Sequence, residues 1–215
     1  MGTQRYEGDD IEVTYEVKRC IHAAECTRGL PAVFDPERRP WVQLRGADAD
    51  EVVRVIERCP TGALRYTRRA GMSETADAMN TVRPTANGPL YVRGAITLRD
   101  AGGSELATET RVALCRCGAA ANKPYCDGKH VEIGFSDPGA LPPQAAGDTV
   151  TAAPSGPLQI TVSANGPLRL DGPVVLEACD LGTPRHATKV ALCRCGASAN
   201  KPYCDGSHKR IGFAG

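Results

Sequence analysis

Aromatic side chains are scarce in this 215-residue chain: six Tyr, three Phe and one Trp make up 5% of it. Long apolar runs are also missing. No stretch approaches the ~20 residues that cross a bilayer, and the opening MGTQRYEGDDIEVTYEV holds nothing of signal-peptide length. Charge of either sign is not in excess, with 26 Lys and Arg against 25 Asp and Glu, and no dense basic run stands out. These absences argue against nucleic acid or a membrane as partner, and the expected localisation is a reducing cytoplasm. What the chain has in quantity is 23 Gly, 16 Pro and 10 Cys. Gly and Pro at this level commit much of the chain to turns and leave thin cores, which metal ligation often supplements. In a reducing compartment ten cysteines are poor candidates for disulfides and read first as metal ligands.

The cysteines fall at 20, 26 and 59, then 115, 117 and 126, then 179, then 193, 195 and 204. An internal repeat orders them. Segment 86–135 begins ANGPL and ends GF, as does segment 164–213, at a constant offset of 78 residues. Agreement peaks in VALCRCGA-x-ANKPYCDG-x-H, at 112–130 and 190–208. Two copies are too few for a solenoid; a pseudo-two-fold pair, mimicking an isologous dimer, is the simplest arrangement. β-prone runs are predicted at Leu90–Val92, Ala95–Leu98 and Arg111–Leu114, and at Leu168–Leu170, Val174–Leu176 and Lys189–Leu192. Gly156–Val162 reads as an extra strand before the second copy. Cys-Asp-Gly-x-His should open a short helix that Asp127 or Asp205 caps.

The first ~70 residues share nothing with the repeats. Strands are predicted at Ile11–Val17, Pro40–Leu44 and Leu64–Thr67, and a helix over Asp48–Glu57 on the spacing of Val52, Val53, Val55 and Ile56. The expected organisation is a domain at 1–70, a linker at 71–85, repeat units at 86–135 and 157–215, and a Pro-, Ala- and Gly-rich linker at 136–156.

Each repeat spaces its candidate ligands C-x-C-x8-C-x3-H: Cys115, Cys117, Cys126 and His130, then Cys193, Cys195, Cys204 and His208. Soft thiolates with an imidazole suit iron–sulfide or zinc, although zinc fingers and ribbons usually place two residues between cysteines. Two cysteines one residue apart project toward one metal when the backbone bends. The third cysteine and the histidine, four residues apart, share one side of a helical turn.

These residues resemble the signature of the CDGSH iron–sulfur (mitoNEET-like) family, C-x-C-x2-(S/T)-x3-P-x-C-D-G-(S/A/T)-H. The second copy matches in full, through Ser198, Pro202, Asp205, Gly206 and Ser207; the first departs at Ala120 and Lys129. The resemblance implies a 2Fe–2S cluster on three Cys and one His in each copy. Exchanging thiolate for imidazole raises the potential and couples the site to pH. Lys123, Lys201, Arg116 and Arg194 are candidates for stabilising cluster charge, or are solvated surface cations. The lost hydroxyl and added charge of the first copy should make the two clusters differ.

In the amino-terminal segment, Cys59-Pro-Thr-Gly-Ala resembles the Cys-Pro-x-Gly-Ala of bacterial ferredoxins. Cys20 to Cys26 resembles their C-x2-C-x2-C with Ala23 in the middle place, and Gly29–Phe34 and Pro40-Trp41 also fit the divergent single-cluster ferredoxin family. The resemblance implies a 3Fe–4S cluster, or a 4Fe–4S cluster whose fourth iron takes His22 or an exogenous ligand. Cys179 stands apart as an ordinary thiol.

The fold class expected is α+β, a small ferredoxin-like domain followed by two mainly β CDGSH units. No Gly-rich nucleotide loop is present and the well-placed Cys and His are assigned to metal, so no enzyme is expected. The expected function is electron transfer from the amino-terminal cluster toward the His-ligated pair. The alternative is a cluster carrier or redox and pH sensor that hands its 2Fe–2S units to apoproteins. Partners are redox proteins or apo cluster acceptors, and the chain is expected to be a monomer.

Overall fold

Alternation of apolar and polar residues in Ile11–Glu16 makes a strand with one buried face, Ile11 and Val13. In the computed structural model, which describes residues 2–143, 156–180 and 182–215, that strand (β2) is the centre of an antiparallel sheet. Thr3–Glu7 (β1) and Leu64–Arg68 (β3) flank it. A compact unit covers residues 1–75 and a second covers 76–215.

In the first unit, Glu25–Gly29 (α1) follows Cys20 and carries Cys26, and Ala49–Ile56 (α2) packs Val52, Val55 and Ile56 into the core. Asp48 caps α2. Its carboxylate accepts from the Glu51 amide at 2.8 Å, and the Glu51 side chain accepts from the Asp48 amide at 3.4 Å, a complete capping box. The strand predicted at Pro40–Leu44 does not form. Val42 makes only a single bridge, to Phe34, and Leu44 already enters a 3-10 turn, Leu44–Gly46. Pro40 has no N–H to pair, so a two-sided ladder has no start.

The second unit is one six-stranded sheet built by both repeats. Its strands are Thr81–Pro84 (β4), Leu90–Arg99 (β5), Glu105–Leu114 (β6), Leu158–Val162 (β7), Leu168–Leu176 (β8) and Arg185–Leu192 (β9). Each pair of short runs read from the sequence, such as Leu90–Val92 and Ala95–Leu98, is one long strand with a bulge where the register shifts. β4 lies inside the span read as the 71–85 linker. It is the counterpart, 78 residues earlier, of the strand foreseen at Gly156–Val162, and its Pro at the end hid it. Much of the 136–156 linker lies outside the described residues; Ser136–Pro143 precedes them.

Strands cross between the copies. β4 runs parallel to β8, pairing Thr81 with Val175 and Val82 with Leu176. β5 runs parallel to β7, pairing Thr97 with Gln159 and Leu98 with Ile160. Leu90, Leu98 and Val112 from one copy and Leu168, Leu176 and Leu192 from the other fill a common core. Short helices Lys129–Glu132 (α3) and Ser207–Arg210 (α4) end the two motif loops. Among the described residues the chain is mostly strand with few helices, and no helix is long and apolar enough to cross a membrane.

Candidate metal centres

Each repeat delivers its motif from the end of its last strand. β6 runs into Cys115, whose amide donates to the Pro124 carbonyl at 2.8 Å, while the Cys126 amide donates to Ala113 at 2.9 Å. The second copy repeats both bonds: Cys193 to Pro202 at 2.8 Å and Cys204 to Ala191 at 2.9 Å. The loop is thus folded back on its own strand, and all four candidate donors come to one end of it.

They arrive in pairs. Sγ of Cys115 lies 3.6 Å from Sγ of Cys117, and Sγ of Cys126 lies 3.4 Å from Nδ1 of His130. In the second copy the corresponding distances are 3.8 Å for Cys193 and Cys195 and 3.4 Å for Cys204 and His208. A tetrahedral metal with thiolates at about 2.3 Å and imidazole at about 2.0 Å separates two sulfurs by about 3.7 Å, and a sulfur and a nitrogen by about 3.5 Å. Both pairs in both copies fit such an edge. Among the described residues no group of three Cys, His, Asp or Glu gathers on one ion.

The hydrogen bond from Cys117, outweighing burial, pulls the Cys115 thiol down to about 6, with help from the amides of Ala120, Gly118 and Cys117. The same hydrogen bond, with burial, pushes Cys117 up. Burial pushes Cys126 up to about 11 and raises Cys195. Burial also lowers His130, with Asp127 opposing and the Arg116 charge assisting.

The second-rank residues named from the sequence take defined places. Lys123 and Lys201 donate to the carbonyls of Ala120 and Ser198, both at 2.7 Å, and so cinch the loop behind the cysteines. Asp127 accepts from the amides of Ala121 at 2.7 Å and Lys129 at 3.1 Å; Asp205 accepts from Ala199 and Ser207, both at 2.9 Å. The residue that caps each short helix is the glycine after it, Gly128 or Gly206, without a side-chain bond. Each aspartate therefore ties the loop to the first turn from one position earlier. Those amide bonds, with the Ser207 hydroxyl first, hold Asp205 well below the usual carboxylate range. Ser198 donates to the Tyr203 carbonyl at 2.6 Å and accepts from the Asn200 amide at 3.1 Å; Ala120 can do neither.

Arg116 and Arg194 are not surface cations: both are 2% exposed. Arg116 donates to the carbonyls of Gly88 at 2.7 Å and Thr85 at 2.5 Å, pairs with Asp137 and lies over Phe135. Arg194 donates to Gly166, Ser163 and Gly215 and lies over Phe213. Each guanidinium clamps the Asn-Gly-Pro turn under its loop. Burial lowers Arg194, and the charge of Cys115, in the other copy, opposes that. Phe135, Phe213 and Asp137 escaped the sequence reading; the repeat of GF at the end of both segments was the available signal.

The two loops meet back to back. Cys117 and Cys195 form an isolated antiparallel bridge. Gly118 and Gly196, at φ +85° and +81°, lie so close that a Cβ on either would stand 2.6 Å from the carbonyl oxygen of Cys195 or Cys117. Only glycine meets both the left-handed backbone and that approach.

In the amino-terminal unit Cys20, Cys26 and Cys59 line one cavity with Trp41, Thr61 and Ala23. Burial pushes Cys26 up to about 11, with the charges of Cys59 and Cys20 adding. His22 lies elsewhere, on the wall of a larger cavity of about 670 Å³ that Tyr6, Tyr15, Trp41, Cys20 and Cys26 also line. His22 and Ala24 hold the loop with φ of 56° and 61°. Buried Arg19 donates to the Thr61 carbonyl at 2.8 Å, joining the two cysteine segments. Next to Lys18 it reads as a solvated charge, so the sequence held no signal for it.

Comparison with known proteins agrees with this division. The family model described as a divergent 4Fe-4S mono-cluster matches residues 6–69, and the iron-binding zinc finger CDGSH type matches 87–131 and 165–209. The uncharacterized protein YjdI of Escherichia coli (strain K12) is 37% identical over 68 residues, which cover 32% of this chain and 90% of that protein. YjdI of Escherichia coli O157:H7 matches to the same extent. No solved structure matches the chain. The chain is thus an iron–sulfur protein in which a divergent 4Fe-4S mono-cluster domain is fused to two CDGSH-type units.

Proposed function

We propose that the protein transfers electrons, carrying two Cys3His 2Fe–2S clusters and one 3Fe–4S or 4Fe–4S cluster in its amino-terminal, ferredoxin-like unit. The pairing of donors carries this reading. Two donors at a tetrahedral edge, twice in each loop, suit two irons joined by sulfides, whereas structural zinc draws four ligands to one ion. Cys115 and Cys117 would hold one iron and Cys126 and His130 the other; Cys193, Cys195, Cys204 and His208 repeat the set. Bound clusters of this kind supply a one-electron couple, set higher where imidazole replaces thiolate.

The chain's own residues fix the donors. Lysine, aspartate and arginine side chains cinch each loop, so the ligands change little with redox state. The reciprocal registers β4–β8 and β5–β7, in which residues 81 and 97 of one copy pair with residues 175 and 159 of the other, support a pseudo-two-fold pair. Three cysteines gathered at one place, Cys20, Cys26 and Cys59, would leave one corner of a cubane for a further ligand. Redox proteins are the partners this predicts, for a cytoplasmic monomer without catalytic activity on an organic substrate. A second reading, cluster delivery to apoproteins, is favoured by one observation: Cys204 and His208 line an open groove.

Anaerobic purification with iron, sulfide and zinc analysis, and EPR before and after dithionite, tests the proposal. About seven or eight irons per chain with both signal types is expected. Zinc without visible absorption overturns it. Cluster transfer to an apo-ferredoxin faster than electron exchange would select the second reading.

A further inference from the structure

The repeat provides its own control for surface chemistry, because each position in one copy has a counterpart 78 residues away. Cys204 and His208 line a groove of about 690 Å³ together with Arg169, Lys189, Lys209 and Asp171. All three cations are exposed. Lys189 lies 3.7 Å from Asp171, but the two side chains are 79% and 62% exposed, and a pair so solvated holds loosely. The first copy is built differently around His130. Tyr91 stands for Arg169, and Arg111, 2% exposed, stands for Lys189. Val131, 76% exposed, stands for Lys209. Arg83, exposed, replaces Thr161, and Arg93, replacing Asp171, is bound to Asp77 at 2.7 Å. The short helices differ most: α4 carries Lys209 and Arg210 with no carboxylate, whereas α3 ties Lys129 to Glu132.

We propose that this groove is where an acidic redox protein docks, so that electrons pass between it and the second copy in preference to the first. The proposal rests on the electron-transfer reading above. The cations rim the groove while a donor pair forms part of its wall, so an occupant held by the rim stands against Cys204 and His208. Side chains this exposed bind a lone small anion weakly, since water screens each contact. A protein surface that sets several carboxylates against several cations gains instead from steering and orientation. The exchange moves one electron: the partner's centre is oxidised as this protein is reduced, or the reverse, with no bond made or broken.

Two double charge reversals of equal size separate the copies. Lys189→Glu with Lys209→Glu alters the groove; Arg83→Glu with Lys129→Glu alters the first copy. Each holoprotein is titrated calorimetrically with an acidic plant-type 2Fe–2S ferredoxin at low ionic strength, and mixed with it in reduced form by stopped flow. Unchanged visible spectra show that the variants hold their clusters. The groove variant should lose about tenfold in association and exchange rate, and the first-copy variant less than twofold. Wild-type exchange should slow as salt rises. Equal losses in both variants, or none in either, overturn the docking site. Clusters that bind the ferredoxin with the expected charge dependence yet never exchange electrons overturn the electron-transfer reading alone.

Discussion

Ser198 and Ala120 occupy the same place in two loops that otherwise share nearly every residue, and the difference is a hydroxyl with two bonds. Ser198 sits 2% exposed, between the Tyr203 carbonyl and the Asn200 amide. Removing it leaves the Tyr203 carbonyl without its donor, which costs about 1 kcal/mol. Ser198→Ala should therefore lower the melting temperature of the 76–215 unit by about 3 °C in calorimetry; an unchanged transition would show that the hydroxyl does not hold the loop. The arginines teach a related lesson. Between two cysteines, Arg116 and Arg194 invite an electrostatic reading. Their guanidinium groups are spent on turn carbonyls first, and only the effect of Cys115 on Arg194 and of Arg116 on His130 keeps that reading in part.

At the scale of elements, the parts set by local chemistry were legible and those set by distant partners were not. Asp48 to Glu51 announces α2 by its capping box, and Ile11–Glu16 announces β2 by alternation. The repeat made the ligand sets readable twice, at the same spacing. Thr3–Glu7 forms a strand because β2 offers it an edge, a fact absent from TQRYE itself. β4 depends likewise on β5 and β8, whereas Pro40–Leu44 finds only the single bridge to Phe34. The loop-to-loop bridge at Cys117 and Cys195 belongs to this scale too. Gly118→Ala would force a Cβ to 2.6 Å from the Cys195 carbonyl oxygen at φ +85°. The expected cost is about 2 kcal/mol or more, and iron analysis should show loss from both copies. Loss confined to the first copy would mean that the loops yield separately.

For the molecule as a whole, sequence suggested a pair of like units resembling an isologous dimer; in the structure one sheet and one core take strands from both. A single copy leaves β5 without its parallel neighbour β7, and β4 without β8. Residues 76–143 alone should therefore associate as a two-fold dimer, with β4 of one chain against β5 of the other, as light scattering on a size-exclusion column would reveal. A folded monomer of that fragment would show that the crossing strands are dispensable.

The mutual seating of Gly118 and Gly196 has a consequence for descent. After a duplication, two copies are ordinarily free to diverge, one keeping the old role while the other explores. Here each loop is the wall against which the other was cast, so a mutation in one alters the mould of its sibling. The copies differ at exposed positions such as Val131 and Lys209, and are alike where the two loops touch, at Cys117–Gly118 and Cys195–Gly196. Their inheritance is joint at the seam and separate at the rim.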